Sequence, residues 1–263
     1  MLKFCSLYSG SSGNCLFLSA GKTQILIDAG LSAKRIITAL ASIGEKPSEI
    51  SAILITHEHS DHIKGAGILS RKLDIPVYAN PNTWEAMRNM LGPVKEEHAV
   101  CFKTNCEFEI GAITVKPFQT PHDAAESVGF NFLAENKKVT VATDIGHMNL
   151  ELLKNLEGSD LLLLESNHDV QMLRAGPYPW HLKKRIEGDH GHLSNEMAAK
   201  VIAYMAEKGA NKFLLGHLSR ENNFPELAYQ TTYNALAEKS IVAGSDVMLE
   251  VALRDRVGSI IML

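Results

Sequence analysis

Three histidines and an aspartate fall within six positions, His57-x-His59-x-Asp61-His62, directly behind the apolar run Ala52-Ile53-Leu54-Ile55. The run reads as a short buried strand. In an extended segment leaving it, alternate residues face one side, so His57 and His59 can converge on one cation. Once the chain turns, Asp61 and His62 can reach a second. Histidines of a solvated loop would need no partner, but four ligand-type side chains this close behind a buried strand point to metal. So short a cluster cannot complete two sites. The fold must therefore bring further His or Asp residues, from other strand ends, to the same edge.

Three segments offer them. Thr120-Pro121-His122-Asp123 follows the strand-like Ile113-Thr114-Val115, Asp144 ends the apolar run before Ile145-Gly146, and His217 lies just past Lys212-Phe213-Leu214-Leu215. Singly, each has a plain alternative as a loop histidine or a turn aspartate. Taken together, the expected sets are His57, His59, His122 and Asp144 for one ion, and Asp61, His62, Asp144 and His217 for the other. A carboxylate at Asp144 can bridge two cations and lower the repulsion between them. Imidazole and carboxylate donors suit zinc, manganese and iron alike, so Zn²⁺ or Mn²⁺ is expected and iron is not excluded.

The remaining composition narrows the setting. The 263 residues contain no Ser/Gly/Pro-rich linker and no short repeat, so a single domain over 1–263 is expected. No apolar stretch is long enough to span a bilayer, and the N-terminus lacks the apolar core of a signal peptide. Four cysteines without a Cys-x-x-Cys pair read as free thiols in a reducing cytoplasm. A net charge of −4 gives no general pull toward nucleic acid. Two bound divalent cations would cancel it, so a polyanionic substrate is not excluded.

Hydrophobic runs predict strands over Leu16–Leu18, Gln24–Ile27, Ala52–Thr56, Phe108–Val115, Gly129–Leu133, Val139–Ala142, Asp160–Leu164 and Lys212–Leu215. Gly21-Lys22 and Glu135–Lys138 read as hairpin turns. Ser32 and Ser194 read as helix caps, and a further helix is expected around Trp84–Leu91.

The order Ile27-Asp28-Ala29-Gly30, then THEHSDH, His122, Asp144 and His217 resembles the metallo-β-lactamase superfamily over nearly the whole chain. The resemblance implies an α+β fold, a four-layer αβ/βα sandwich of two mixed β-sheets packed face to face with helices outside. It also implies a dinuclear site at one edge and a structural place for Asp28 beside the metals. A histidine at position 59, where flavodiiron proteins have glutamate, argues against redox chemistry, and Asp144 argues against the zinc β-lactamases. Glu165–Asp169, Gly191-His192-Leu193-Ser194 and Gly216–Arg220 resemble the tail of the nuclease and phosphodiesterase branch, in which a histidine matched by His192 can protonate the leaving oxygen. Too few residues separate Asp144 from His217 for the large inserted domain of the β-CASP nucleases.

Tyr8–Cys15, Thr120–Ala124 and Leu173–Pro179 resemble the WalJ (YycJ) family. That resemblance implies 5′-to-3′ exonuclease activity on double-stranded DNA, expected here through a metal-bridging hydroxide that Asp61 helps to orient, with DNA as the favoured partner. The alternative is a small-molecule hydrolase of the same fold, a cyclic phosphodiesterase or thioesterase. Candidate substrate contacts are His168, Asp169, Arg174, Lys183, Lys184 and Arg220, several of them interleaved with Tyr178 and Trp180 in a basic, aromatic segment. A solvated helix face explains those charges equally well. Gly10–Asn14 reads either as a nest for an anion or as a plain β-turn.

Overall fold

The computed structural model describes residues 1–263. β1 (Leu2–Tyr8), β2 (Cys15–Ala20) and β3 (Thr23–Ile27) form an antiparallel meander. After α1 (Ala33–Ser42) the sheet continues in parallel through β4 (Ala52–Leu54), β5 (Val77–Ala79) and β6 (Ala99–Cys101). The one-turn α2 (Ser60–Ile63), α3 (Ala66–Leu73) and α4 (Pro81–Leu91) lie in those connections.

The second sheet repeats the plan. β7 (Phe108–Ile110), β8 (Ile113–Gln119), β9 (Val128–Ala134) and β10 (Lys137–Ala142) are antiparallel. β11 (Leu161–Glu165), β12 (Lys212–Gly216) and β13 (Met248–Val251) then add in parallel, connected through α5 (Leu150–Leu156), α6 (Val170–Ala175), α7 (Trp180–Glu187), α8 (Asn195–Glu207) and α9 (Pro225–Glu238). The chain ends in β14 (Ile261–Met262), which pairs with β1 in the first sheet.

Period-2 geometry explains the layering. Leu16, Leu18, Ile25 and Ile27 face the other sheet's Phe130, Val139, Leu161 and Leu163. Their neighbours Phe17 and Leu26 pack beneath Ile36, Leu40 and Leu69 of the outer helices. On the far side Leu162 and Leu164 pack beneath Ile202, Met205 and Leu236. The expected four-layer sandwich is the one observed. No helix is long and apolar enough to cross a membrane.

Local signals were mostly sound. Ser32 accepts from the Arg35 N–H and Ser194 from the Met197 N–H, each as an N-cap. Gly21, at φ 58°, turns the chain between β2 and β3. Two expectations shift. Phe108–Val115 is two strands, folded at Gly111 (φ 54°), where a Cβ would lie 2.2 Å from the Thr23 hydroxyl oxygen. The turn after β9 is only Glu135-Asn136, both left-handed as a tight hairpin requires, because Lys137 and Lys138 already pair with β9.

Candidate metal centre

Both sheets deliver side chains to one rim. The His57–His62 segment leaves β4, His122 follows β8, Asp144 follows β10 and His217 follows β12, while Asp28 follows β3 and Glu165 ends β11. Asp28, Asp144 and His217 adopt left-handed backbone, with φ of 59°, 58° and 55°. Such a conformation costs an L-residue about 1–2 kcal/mol, and its recurrence at this rim places backbone strain where the chemistry is.

The seven predicted donors come together. His59 Nδ1 lies 3.3 Å from His122 Nε2, and His57 completes that trio. Asp61 Oδ2 lies 3.5 Å from His62 Nε2 and 3.7 Å from His217 Nε2. Asp144 stands between the trios, Oδ1 at 3.6 Å from His122 Nε2 and Oδ2 at 3.5 Å from His62 Nε2. A tetrahedral cation with bonds of about 2.0–2.2 Å keeps its ligands about 3.3–3.6 Å apart, so these separations suit donors sharing an ion. His57 Nε2, His217 Nε2 and Asp144 Oδ2 are buried with no hydrogen-bond partner. Orphaned polar atoms of this kind are costly unless something polar answers them, and a divalent cation does. The residues thus fit divalent metal.

A surrounding layer sets each ring's tautomer. His62 donates from Nδ1 to Asp28 Oδ2 at 2.7 Å. Thr56 donates its hydroxyl to the same carboxylate, at 2.9 Å, and lies 3.0 Å from His57 Nδ1, from which it can accept. His122 donates from Nδ1 to the Gly191 carbonyl at 3.1 Å. His217 and His192 both donate from Nδ1 to Glu165 Oε1, at 2.8 and 2.7 Å. The other Glu165 oxygen accepts from the backbone N–H of Ile145 and Leu193. With its acceptors so engaged, Glu165 orients the His217 and His192 rings and has no free oxygen to offer an ion. These contacts direct Nε2 of His57, His62, His122 and His217 inward.

Sequence reasoning left the partners of His122 and His217 unnamed. Glu165 and Asn14, quoted there only within longer motifs, are the residues whose roles it missed. Asn14 Nδ2 approaches His62 Nε2 at 3.1 Å and the Asp61 carbonyl at 3.4 Å, while its Oδ1 accepts from the Gly10 N–H. Gly13 N–H donates to the Gly10 carbonyl, so Gly10–Asn14 is a β-turn that presents Asn14, not an anion nest. Glu58 accepts from the Ala125 N–H and ties the His122 loop down.

Charge in the cluster is strongly coupled. Burial pushes the His57 imidazole well below its usual range, assisted by His62. Burial would lower His62 and His217 too, but the carboxylates of Asp28, Asp144 and Asp61 hold His62 well above its usual range. Asp144, Asp61 and Glu165 likewise raise His217 to about 10. Against burial, His192 and His217 hold Glu165 ionised, down to about 2. A cation entering here displaces protons from His62 and His217.

The outer candidates divide. His192 lies at the rim, its ring centroid 5.0 Å from that of His122 and 5.3 Å from that of His217. His168 is buried and lines a cavity with His192, its Nδ1 unpartnered. Asp169 is the N-cap of α6, accepting from the Met172 N–H, so its carboxylate is already committed. Arg174 pairs with Glu187 at 2.9 Å. Lys183 donates to the Arg174 and Gly176 carbonyls at the end of α6. Lys184 lies over the exposed Trp180 ring, 5.3 Å from its centroid, and Arg185 pairs with Asp123. Both arginines of the basic segment are therefore paired with carboxylates of the protein itself, while the two lysines keep their charge. Arg220 is exposed beyond His217.

A family model described as a β-lactamase superfamily domain matches residues 23–218. The chain is 43% identical to the exodeoxyribonuclease WalJ of Streptococcus pneumoniae serotype 2, over 93% of this chain and 91% of that protein. It is 40% identical to the exodeoxyribonuclease YycJ of Bacillus anthracis over 92% of each. Zn²⁺-bound PqqB from Methylobacterium extorquens is similar at a TM-score of 0.74 and 16% identity, covering 100% of both chains, a likeness of fold alone. Fold, ordered donor set and relatives agree, and the chain belongs to the metallo-β-lactamase-fold superfamily and, within it, to the WalJ/YycJ family of exodeoxyribonucleases.

Proposed function

We propose that this protein is a 5′-to-3′ exonuclease that hydrolyses phosphodiester bonds of double-stranded DNA at a centre of two divalent ions, zinc or manganese. The observation that carries the reading is the Glu165 carboxylate, which with one oxygen holds both a candidate ligand, His217, and the rim histidine His192. Its likeness to two exodeoxyribonucleases over nine-tenths of the chain supports DNA as the substrate.

His57, His59, His122 and Asp144 would hold one ion, and Asp61, His62, Asp144 and His217 the other. Ions held there supply an acidified water and neutralise the charge that builds on the phosphoryl oxygens. Asp61, half-buried like His59, would orient the attacking water as well as bind metal. His192, oriented by its Nδ1–H on Glu165, would present Nε2 to the leaving oxygen and deliver a proton to it. Glu165 fixes the orientation of that ring without exchanging a proton itself.

A substrate panel tests the reading: duplex DNA labelled at the 5′ or 3′ end, single-stranded RNA, a cyclic phosphate and a glutathione thioester, each with Mn²⁺ and with Zn²⁺. Release of labelled mononucleotide from the 5′ end as the fastest reaction is expected. Faster turnover of the cyclic phosphate or the thioester would replace the exonuclease by a small-molecule hydrolase.

A further inference from the structure

Just past His217 the chain enters an open groove of about 480 Å³ that the centre itself does not use. Its floor is apolar, from Leu218 and Ala252, and its rims carry Arg220 and Phe224 on one side and Arg254 and Arg256 on the other. Ser219 lines both this groove and the smaller cavity that holds His192, so the two adjoin at that residue. The stem of Arg254 crosses Gly10, where a Cβ would lie 3.0 Å from Arg254 Cγ and 3.1 Å from the Leu218 carbonyl. Glycine at position 10 thus lets the arginine lie close along the rim.

The charges here differ from those around α7. Arg220 and Arg254 meet only the carboxylates of their sequence neighbours Glu221 and Asp255, at 3.9 and 3.4 Å, and Arg256 makes no ion pair. Exposed pairs of this kind are worth about 0–1 kcal/mol, so the guanidiniums can turn to phosphate at little cost. On a chain of net charge −4, three such arginines on one groove form a local positive track. Phe224 stands among them 47% exposed. Its loop is held rigidly, because the Asn223 side chain donates to the Ser166 and Asn167 carbonyls beside Glu165. An aromatic ring held open to solvent within a cationic groove is the arrangement on which nucleic-acid bases stack.

We infer that this groove carries the DNA strand away from the scissile phosphate, with Arg220, Arg254 and Arg256 on successive phosphates and one base stacked on Phe224. The assignment rests on the DNA reading given above. Steady-state hydrolysis of a 5′-labelled duplex, measured over a range of salt concentrations, tests it. The R254A/R256A variant is expected to raise KM about tenfold and to flatten the dependence of log KM on log salt by about two. F224A is expected to raise KM about tenfold with the salt slope unchanged. R254K/R256K, which keeps the charges, restores the slope, and R220A alone reduces it by about one. Metal content and melting temperature equal to those of wild type show that each variant is folded. Wild-type digestion of DNA with an unchanged slope in R254A/R256A and R220A overturns the groove and leaves the exonuclease reading standing. Failure of wild type to act on DNA overturns both.

Discussion

Glu165 accepts two imidazole N–H bonds on one oxygen and two backbone N–H bonds on the other, so all of its hydrogen-bonding is with donors. An amide cannot replace it, because the NH₂ of glutamine must face one of those donor pairs. Glu165→Gln is therefore expected to weaken metal binding by about 10–100-fold, read by metal titration, and to slow turnover as well. Asp144→Ala removes the donor shared by both trios and should lose metal and activity together, which metal analysis and rate measurement on one sample check. His192→Ala should keep full metal content while kcat falls about 10²–10⁴-fold. An unchanged kcat in that variant would remove His192 from proton transfer. At this scale the donors themselves were legible, since dense His and Asp behind a strand have few other uses. The role of Glu165 was not, although Glu165–Asp169 carries part of the family likeness, because an acid after four leucines gives no sign of the side chains it will meet. Only the buried surroundings show that the charge has two partners. Asn14 was hidden for the same reason: its contact to His62 spans a long stretch of sequence and leaves no local pattern.

At the scale of elements, the donors depend on close backbone approaches. A Cβ on Gly30 would lie 1.6 Å from the Asp61 carbonyl oxygen, so the loop after β3 and the short α2 touch through a glycine. Gly30→Ala must push α2 outward, and metal titration should show the Asp61, His62 and His217 site weakened more than the His57, His59 and His122 site. A milder change, Ser194→Ala, removes the cap of α8 and should cost about 1 kcal/mol. In a chain of this size that corresponds to a melting temperature lower by about 2–4 °C. Capped helices and antiparallel hairpins were legible from local chemistry, as Ser32, Ser194 and Gly21 show. The strand split at Gly111 was not, because apolar residues continue on both sides of the turn. Nor was the pairing of the arginines around α7, which Glu187 and Asp123 meet only in the folded chain.

For the molecule as a whole, protons and metal compete at the centre. His217 titrates in the folded protein at about 10, above the 6.5 of an unperturbed imidazole. Its contribution to metal-free stability is therefore fully present below pH 6.5 and is lost as pH rises through 10. Glu165 acts oppositely, stabilising above its ordinary 4.5 and losing that contribution as pH falls toward 2. Metal needs the unprotonated rings, so its affinity rises over the interval in which the metal-free protein weakens. The gap in melting temperature between Mn²⁺-loaded and chelator-treated protein should widen from pH 6.5 to 10. Taking the difference cancels groups common to both forms, such as Lys138, which burial lowers to about 8. A gap that narrows with pH would contradict the charge assignment at His217.

The two sheets share one plan, a meander followed by three parallel additions, and the donors come from both. His57, His59, Asp61 and His62 belong to the first, and His122, Asp144 and His217 to the second. An ion shared across that seam works as a clasp as well as a reagent, since the sandwich cannot open at this rim without breaking coordination. The ions should accordingly slow proteolysis at the His57–His62 and Thr120–Ser127 loops, and a chelator should expose those loops first. The lifetime of the chain in a cell would then follow its metal supply.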